Sequence, residues 1–317
     1  MRLGHDTATR SPRYELQRRL MGGPREIPTR YLYDARGAAL FEKIVRLPEY
    51  YQARTETRLL TLHASPLVRE IAPDEHIELG VGSGDKTRLL VDAMAELGGS
   101  RRVVVQDVHA ASATQAAVSL DARHARVRVS AASGDFMREL PDIRTPGLRL
   151  WALLGSTFGN LSVSQGRDLL GRIRARSEAG DALLLGVDLA HDRAALLRAY
   201  DDAAGVTAAF NLNALTHFNR TEGGDFDVSG FEHVTRFDPR HSRIEMRLRA
   251  RRSMAVTIES LRMRLRLRAG EELRTEISEK YTERRLVERI RDTGWVMRRF
   301  LTDDDRRYAL VLLGAAR

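Results

Sequence analysis

From residue 76 onward, short apolar runs alternate with longer stretches of helical period. His76 to Leu79 reads as a strand, followed by a glycine loop and a helix from Asp85 to Leu97. Val103 to Val105 is a second strand, ending at Asp107, with a helix over Ala110 to Leu120, and Val127 to Val129 leads to Gly134-Asp135. Leu150 to Leu154 is an apolar strand ending in Gly155; Leu169, Leu170 and Ile173 mark a helix, and Ala182 to Val187 a further buried strand. Apolar runs without alternation suit strands covered on both faces. Strands that alternate with helices form a parallel sheet, so the fold class is α/β.

The flanks read differently. Residues 1–30 are polar and basic, with Gly22, Gly23, Pro24 and Pro28, and suggest an arm. Ala38 to Val45 is amphipathic, and Thr55 to Ile71 is helical with Pro66 kinking or dividing it. After Asp188 come two helical patterns, about 192–203 and 206–216, and then a period of two. Ile244, Met246 and Leu248 alternate with charged residues, and Leu261, Met263, Leu265 and Leu267 alternate with Arg262, Arg264, Arg266 and Arg268. That is the pattern of antiparallel strands with one wet, basic face. A helix from Glu283 to Arg291 stops near Gly294, and two strands, Trp295 to Leu301 and Tyr308 to Leu313, follow. The predicted organisation is an arm (1–30), an α/β domain (31–190 and 279–317) and an inserted, smaller α+β domain (191–278).

Composition narrows the chemistry. With 317 residues, 43% hydrophobic and 30% charged, the chain can bury a substantial core. It has no cysteine, which excludes disulfides, thiolate metal sites and cysteine nucleophiles. Its histidines show no H-x-x-x-H spacing, so no metal site is expected. No run approaches the ~18 apolar residues of a membrane span, and Arg2, His5, Asp6, Arg10 and Arg13 at the N-terminus leave no signal-peptide core. A cytoplasmic monomer without membrane partner is the expectation. The net charge of +9, from 52 basic and 43 acidic residues, raises a nucleic-acid-binding alternative built on the Arg262–Arg268 stripe. Against it, the arginines are mixed with carboxylates, and only 6% of residues are aromatic, with no basic–aromatic interleaving to stack bases. No nucleic-acid partner is expected.

The candidate ligand site begins at Glu78-Leu79-Gly80-Val81-Gly82-Ser83-Gly84-Asp85-Lys86-Thr87, after a strand and opening a helix. Gly80 and Gly82 let the backbone turn sharply and approach a ligand. The spacing is G-x-G-x-G, neither the G-x-G-x-x-G of dinucleotide folds nor a phosphate-binding P-loop. Asp107, about 20 residues past the loop at the end of the next strand, can accept from both ribose hydroxyls. Asp135 can bond an adenine amino group, and Phe136 can pack on the ring. Together they suit a nucleoside lacking a pyrophosphate, although a glycine loop alone also suits NAD, FAD or a plain turn.

Several longer strings carry a closer resemblance. Tyr31-Leu32-Tyr33-Asp34, Leu47-Pro48-Glu49-Tyr50-Tyr51, Arg54-Thr55-Glu56, Leu154-Gly155-Ser156-Thr157-Phe158-Gly159-Asn160-Leu161 and Arg198-Ala199-Tyr200-Asp201-Asp202 resemble segments of the histidine-specific Nα-methyltransferases. So do Phe210-Asn211-Leu212-Asn213, Phe231-Glu232-His233-Val234, Arg243-Ile244-Glu245-Met246 and Glu276-Ile277-Ser278. The resemblance covers roughly residues 28–314. It implies a Rossmann-like class I methyltransferase fold with a terminal antiparallel strand, and an inserted substrate-binding domain that closes over the acceptor and excludes water. It implies S-adenosylmethionine as cofactor, held by positions matching Gly80, Lys86, Asp107, Asp135 and Phe136. The implied acceptor is L-histidine, methylated three times on its α-amino group to hercynine, the start of ergothioneine biosynthesis.

Site roles follow from the same resemblance. Asn160 and Tyr50 are similar to the pair that holds the substrate's α-amino and carboxylate groups, as orienting groups rather than strong bases. Tyr200 and Thr207 match nearby substrate-facing positions, Tyr33 a tyrosine at the imidazole end, and Phe210 and Met246 apolar pocket positions. Glu276 and Ser278, at alternate positions, can bond both imidazole nitrogens. Val81 and His109 depart from the family pattern. Another aromatic amino acid or related amine is the alternative acceptor within the same family.

Overall fold

The computed structural model describes residues 12–142 and 146–316. They divide into two units, residues 12–50 with Arg193–Ile277, and Tyr51–Asp192 with residues 278–316. The first unit starts with α1 (Pro12–Met21), which buries Leu16 and Leu20. α2 (Ala35–Ile44) is capped by Asp34, whose carboxylate accepts from the Gly37 amide at 2.8 Å. Between them the Ile27 amide donates to the Arg274 carbonyl at 2.9 Å. The stretch read as an arm is therefore folded from residue 12 on. Its residues 1–11, with Arg2, His5, Asp6 and Arg10, lie outside the described residues.

The second unit opens with α3 (Tyr51–Ile71), which runs unbroken through Pro66 rather than being divided there. Proline removes one ladder bond, to the carbonyl of Leu62. That residue lies on the helix's exposed side, 60% accessible, where water can replace the lost donor. The expected alternation follows: β1 (Glu75–Leu79), α4 (Asp85–Glu96), β2 (Arg101–Asp107), α5 (Ala110–Asp121), β3 (Val127–Ser133), β4 (Arg149–Leu153), α6 (Val163–Arg174) and β5 (Ala182–Asp188). β1, β4 and β5 are buried along their whole length; the apolar runs of β4 and β5 account for this, whereas β1 also buries Glu75, His76 and Glu78.

The chain then returns to the first unit with α7 (Arg193–Ala199), α8 (Val206–Glu222), β6 (Phe231–Asp238), β7 (Arg243–Ala250), β8 (Met254–Ile258), β9 (Met263–Leu267) and β10 (Glu272–Glu279). β10, β7 and β6 form one sheet and β8 and β9 a separate ribbon. Leu261 and Arg262 do not join the ribbon as their alternation suggested. A 3-10 turn over Glu259–Leu261 and a left-handed Arg262 (φ 50°) precede β9. The arginine stripe is otherwise a solvent face: Arg264 and Arg266 are exposed while Leu265 and Leu267 are buried.

Residues 31–50, expected in the α/β domain, belong to this unit instead, and the insertion spans 193–277 rather than 191–278. The reason is packing. Tyr31 lies 4.9 Å from Phe218 of α8, ring to ring, and the Asn213 amide and Arg220 guanidinium of the same helix both donate to Asp34. Those partners are about 180 residues away, out of reach of any local pattern.

α9 (Glu283–Ile290), β11 (Trp295–Thr302) and β12 (Tyr308–Ala315) complete the second unit. Its sheet has the order β11-β12-β5-β4-β1-β2-β3. β1 to β5 pair in parallel, and β12 lies antiparallel between β5 and β11. The strand order reverses between β1 and β4, and in such sheets ligands bind beyond the carboxyl ends of the strands at that point.

Candidate active site

At the carboxyl ends of β1, β2 and β3 the predicted cofactor residues converge. Gly80 (φ 81°), Gly82 (φ 56°) and Gly84 (φ 80°) all take left-handed backbone, which residues with a Cβ adopt only at a cost. A Cβ on Gly84 would sit 3.1 Å from that of Ala116, so this glycine lets α4 start close against α5. The Gly82 amide donates to Asp107 Oδ2 at 3.0 Å, and the His109 amide to Oδ1 at 2.9 Å. The Gly134 amide donates to the Asp107 carbonyl at 3.0 Å, and Phe136 borders Gly80, with 3.8 Å to where a Cβ would stand. Asp135 caps its own turn through the Met137 amide at 2.9 Å.

A carboxylate has about four acceptor positions, so Asp107 is oriented by two amides and still has capacity for a diol. Nothing lies within 4 Å of a Cβ built on Gly82, which leaves open backbone beside that carboxylate and the Phe136 ring. This arrangement fits the nucleoside part of S-adenosylmethionine.

On the far side of the switch point, β4 ends in Gly155, a left-handed Ser156 (φ 58°) and the 3-10 turn Thr157–Asn160. Gly159 lets that turn lie close to the backbone of Glu279 in the same unit, where a Cβ would meet the Glu279 carbonyl at 2.8 Å. Asn160 is half-buried at the end of the turn. Glu276 and Ser278 alternate along β10, and both are buried, so Glu276 is not one of the solvated carboxylates of its charged neighbourhood.

In the first unit the predicted pocket residues form an aromatic cluster. Tyr33 lies 5.5 Å from Phe210 and 5.8 Å from Phe41, and Phe41 lies 6.1 Å from Tyr50, which is 6.2 Å from Tyr200. Thr207 is in the first turn of α8, which Asp202 caps by accepting from the Thr207 and Val206 amides at 2.7 and 2.9 Å. Burial pushes the Asp202 carboxyl up, but these bonds outweigh it and hold it below the ordinary carboxylate range. Met246 is buried on β7, and its carbonyl accepts from Thr275 Oγ1 at 3.1 Å.

The family described as "Histidine-specific methyltransferase, SAM-dependent" matches residues 13–315. The chain belongs to it. A protein of Mycolicibacterium smegmatis named histidine N-alpha-methyltransferase is 38% identical over 310 residues, 98% of this chain and 97% of that protein. A protein of the same name from Mycobacterium tuberculosis is 37% identical with the same coverage. Ergothioneine biosynthesis protein 1 of Neurospora crassa is 31% identical over 66% of this chain and 25% of its own length. Among solved structures, an S-adenosylmethionine-dependent methyltransferase of Clostridium acetobutylicum matches 87% of this chain and 98% of its own, with TM-score 0.50 and 10% identity, a likeness of fold.

In this S-adenosylmethionine-dependent methyltransferase the structure also connects residues to which the sequence assigned no role. Lys86, assigned to the cofactor, has a protein partner: its ammonium donates to Glu56 Oε2 at 2.7 Å. Glu56 is fully buried and accepts from the Gly155 amide at 2.9 Å to both oxygens. Gly186 on β5 makes room for it, since a Cβ there would stand 1.8 Å from Oε1. A buried glutamate joining α3, the glycine loop and the end of β4 appears in the sequence only as the last residue of Arg54-Thr55-Glu56, with no partner indicated. Phe41 links Tyr33 to Tyr50 in the aromatic cluster. Behind Tyr200, whose carbonyl faces His233 Nε2 at 2.9 Å, Asn211 meets His233 Nδ1 at 2.8 Å. Burial holds His233 below the usual histidine pKa.

No helix among the described residues is long and apolar enough to cross a membrane.

Proposed function

We propose that this enzyme transfers methyl groups from S-adenosylmethionine to the α-amino nitrogen of L-histidine, three times, giving hercynine for ergothioneine biosynthesis. The family match and the two mycobacterial relatives support the reaction. The observation that carries the acceptor is the buried pair Glu276 and Ser278 on one side of β10. A carboxylate, and a hydroxyl that can donate or accept, match in type the two ring nitrogens of an imidazole, which an indole or phenol ring does not offer.

S-Adenosylmethionine supplies an electrophilic methyl group and leaves as a neutral thioether. In this reading Gly80, Gly82, Asp107, Asp135 and Phe136 hold its nucleoside, and Lys86 holds the glycine loop against Glu56. Tyr50 and Asn160 orient the amine and carboxylate of histidine, with Tyr200 and Thr207 beside them, and Tyr33, Phe210 and Met246 line the apolar side. An in-line displacement needs a neutral nitrogen lone pair aimed at carbon, and alignment provides most of the acceleration. A peptide α-amine has a pKa of about 8 and that of a free amino acid lies higher, so a small neutral fraction is present at physiological pH without a strong base. One proton leaves the nitrogen with each transfer, and the product is a fixed cation that tyrosine faces stabilise.

We also take the enzyme to act as a cytoplasmic monomer with no nucleic-acid partner. Sedimentation in the presence and absence of RNA checks both the monomer and the partner. The reaction is tested by following product mass with S-adenosylmethionine and histidine. A gain of up to three methyl groups on histidine is expected, and no gain refutes the assignment.

A further inference from the structure

In the second unit, the segment after β3 carries Asp135 and Phe136 and forms neither helix nor strand as far as residue 142. Without a ladder, its carbonyls need other donors where water is excluded. Side chains of the same unit supply them. Arg172 of α6 donates from Nη2 to the Phe136 carbonyl at 3.0 Å and from Nη1 to the Met137 carbonyl at 2.8 Å. Arg176, four residues on and so on the same side, donates from Nη1 to the Leu140 and Pro141 carbonyls at 2.8 and 3.1 Å. From the sheet, Gln106 of β2 donates to the Glu139 carbonyl at 2.9 Å.

α6 presents its arginines from a fixed position. A capping box of Ser162 and Gln165 closes its first turn, and Leu169, Leu170 and Ile173 are buried. The Trp295 indole of β11 donates to the Leu170 carbonyl at 2.9 Å. A guanidinium is a rigid planar fork, so its bonds to two consecutive carbonyls set the orientation of both peptides.

One of those peptides leads directly to a predicted cofactor residue. The Phe136 carbonyl and the Met137 N–H belong to the same planar peptide unit. Arg172 holds the oxygen of that plane, and the N–H on its opposite edge donates to Asp135 Oδ1 at 2.9 Å. Turning the plane would turn the N–H away from the carboxylate. Bonds in such a chain polarise one another, so the charged donor at one end strengthens the bond at the other. Asp135 Oδ2 lies 3.9 Å from Arg138 Nε, an ion-pair distance beyond hydrogen-bond reach.

We propose that Arg172 is a positioning residue for cofactor recognition: through the Phe136–Met137 peptide it aims the Asp135 carboxylate at the 6-amino group of the adenine. The proposal rests on the reading that Asp135 takes that amino group and Phe136 packs on the ring. Arg176 and Gln106 hold the rest of the segment, which keeps one geometry without a ladder. Arg172 acts through Asp135, so its effect falls on discrimination at the base rather than on binding in general.

The test is calorimetric titration of the enzyme with S-adenosylhomocysteine and with its purine analogue, which has hydrogen in place of the 6-amino group. The ratio of the two dissociation constants reads the amino-group contact and is insensitive to losses that weaken both ligands alike. A hydrogen bond to a carboxylate sets the wild-type preference for S-adenosylhomocysteine at about 10- to 100-fold. Asp135→Ala is expected to bring the ratio to about 1, and Arg172→Gln to lower it by about threefold or more. Arg172→Lys keeps the charge without the fork and should fall between Arg172→Gln and wild type. Arg174→Gln is the control. That arginine of the same helix donates to the Gly294 and Ala316 carbonyls at 3.0 and 2.7 Å, so its loss should lower thermal stability and leave the ratio at the wild-type value. A wild-type ratio in every Arg172 variant that folds, with a lowered one in Asp135→Ala, overturns the role of Arg172 and leaves the reading of Asp135 standing. An equal drop in Arg174→Gln and the Arg172 variants also overturns it, since the effect is then one of stability. A wild-type ratio in Asp135→Ala overturns that reading and the proposal with it.

Discussion

Replacing Glu56 by glutamine tests how the glycine loop is held. The glutamate is fully buried, and its two oxygens face only donors, the Lys86 ammonium at 2.7 Å and the Gly155 amide at 2.9 Å. Glutamine keeps the shape but turns one oxygen into an NH2, so whichever way the amide flips, a donor faces a donor. Removing one partner of a buried ion pair costs about 3–5 kcal/mol. Lys86 is 26% exposed, and water can take part of its charge, so the expected loss is about 2–3 kcal/mol. At roughly 2–4 °C per kcal/mol for a domain of this size, the melting temperature of the unit containing the sheet should fall by about 5–10 °C. Differential scanning calorimetry reads that shift, and titration with S-adenosylhomocysteine should show weaker binding, because Lys86 follows directly on the loop. Adding Lys86→Met to Glu56→Gln removes the orphaned cation and should recover part of the loss, a coupling that a double-mutant cycle measures. If Glu56→Gln melts within about 1 °C of wild type and binds the ligand equally well, Glu56 does not organise the site.

The other expectations are shorter. Gly186→Ala places a Cβ 1.8 Å from Glu56 Oε1 and 2.8 Å from the Tyr308 hydroxyl, and overpacking of this kind costs about 1–3 kcal/mol; thermal unfolding should show it, with a smaller deficit in Glu56→Ala/Gly186→Ala relative to Glu56→Ala alone, where only the Tyr308 contact remains. Glu276→Ala removes a charge-assisted hydrogen bond of about 1.5–3 kcal/mol, so kcat/KM for histidine should fall roughly 10- to 100-fold while affinity for S-adenosylhomocysteine stays as in wild type; unchanged histidine turnover would contradict the imidazole assignment. The third concerns pH. His233 has a pKa held below its unfolded value near 6.5 by burial, so below that pH the unfolded chain binds a proton that the folded one refuses. Stability of the first unit should therefore drop as pH falls below about 6.5, and less steeply in His233→Gln; a parallel pH dependence in the two proteins argues against it.

Much of the second unit was legible along the chain because its signals are local. A buried parallel strand is often an apolar run, and an α/β turn needs glycine where φ is positive, so β2, β4, β5 and the Gly80–Gly84 loop could be read from neighbours in sequence, while β1 and β3 were placed by the alternation around them. Asp107 and Asp135 were legible too, since strand ends fall at predictable intervals. The unit boundary was not. Residues 31–50 resemble any amphipathic stretch, and only the packing of Tyr31 on Phe218 and the bonds from Asn213 and Arg220 to Asp34 assign them to the first unit. Leu261 kept the period of two but fell outside β9 because the chain turns at Arg262, a backbone state that periodicity does not report.

The sequence by itself determined the fold class, the glycine loop, the acidic strand ends and, through resemblance, a set of candidate residues for the acceptor. These depend on periodicity and on residue types at fixed short spacings. Tertiary structure alone decided which charges are buried against which. Glu56 became the anchor of Lys86, with Gly155 and Gly186 leaving the space. Arg172, one basic residue among many in the string, became a donor to the Phe136 and Met137 carbonyls. Ion pairs and hydrogen-bond direction depend on distance and desolvation between segments tens to hundreds of residues apart, and no local pattern encodes those quantities.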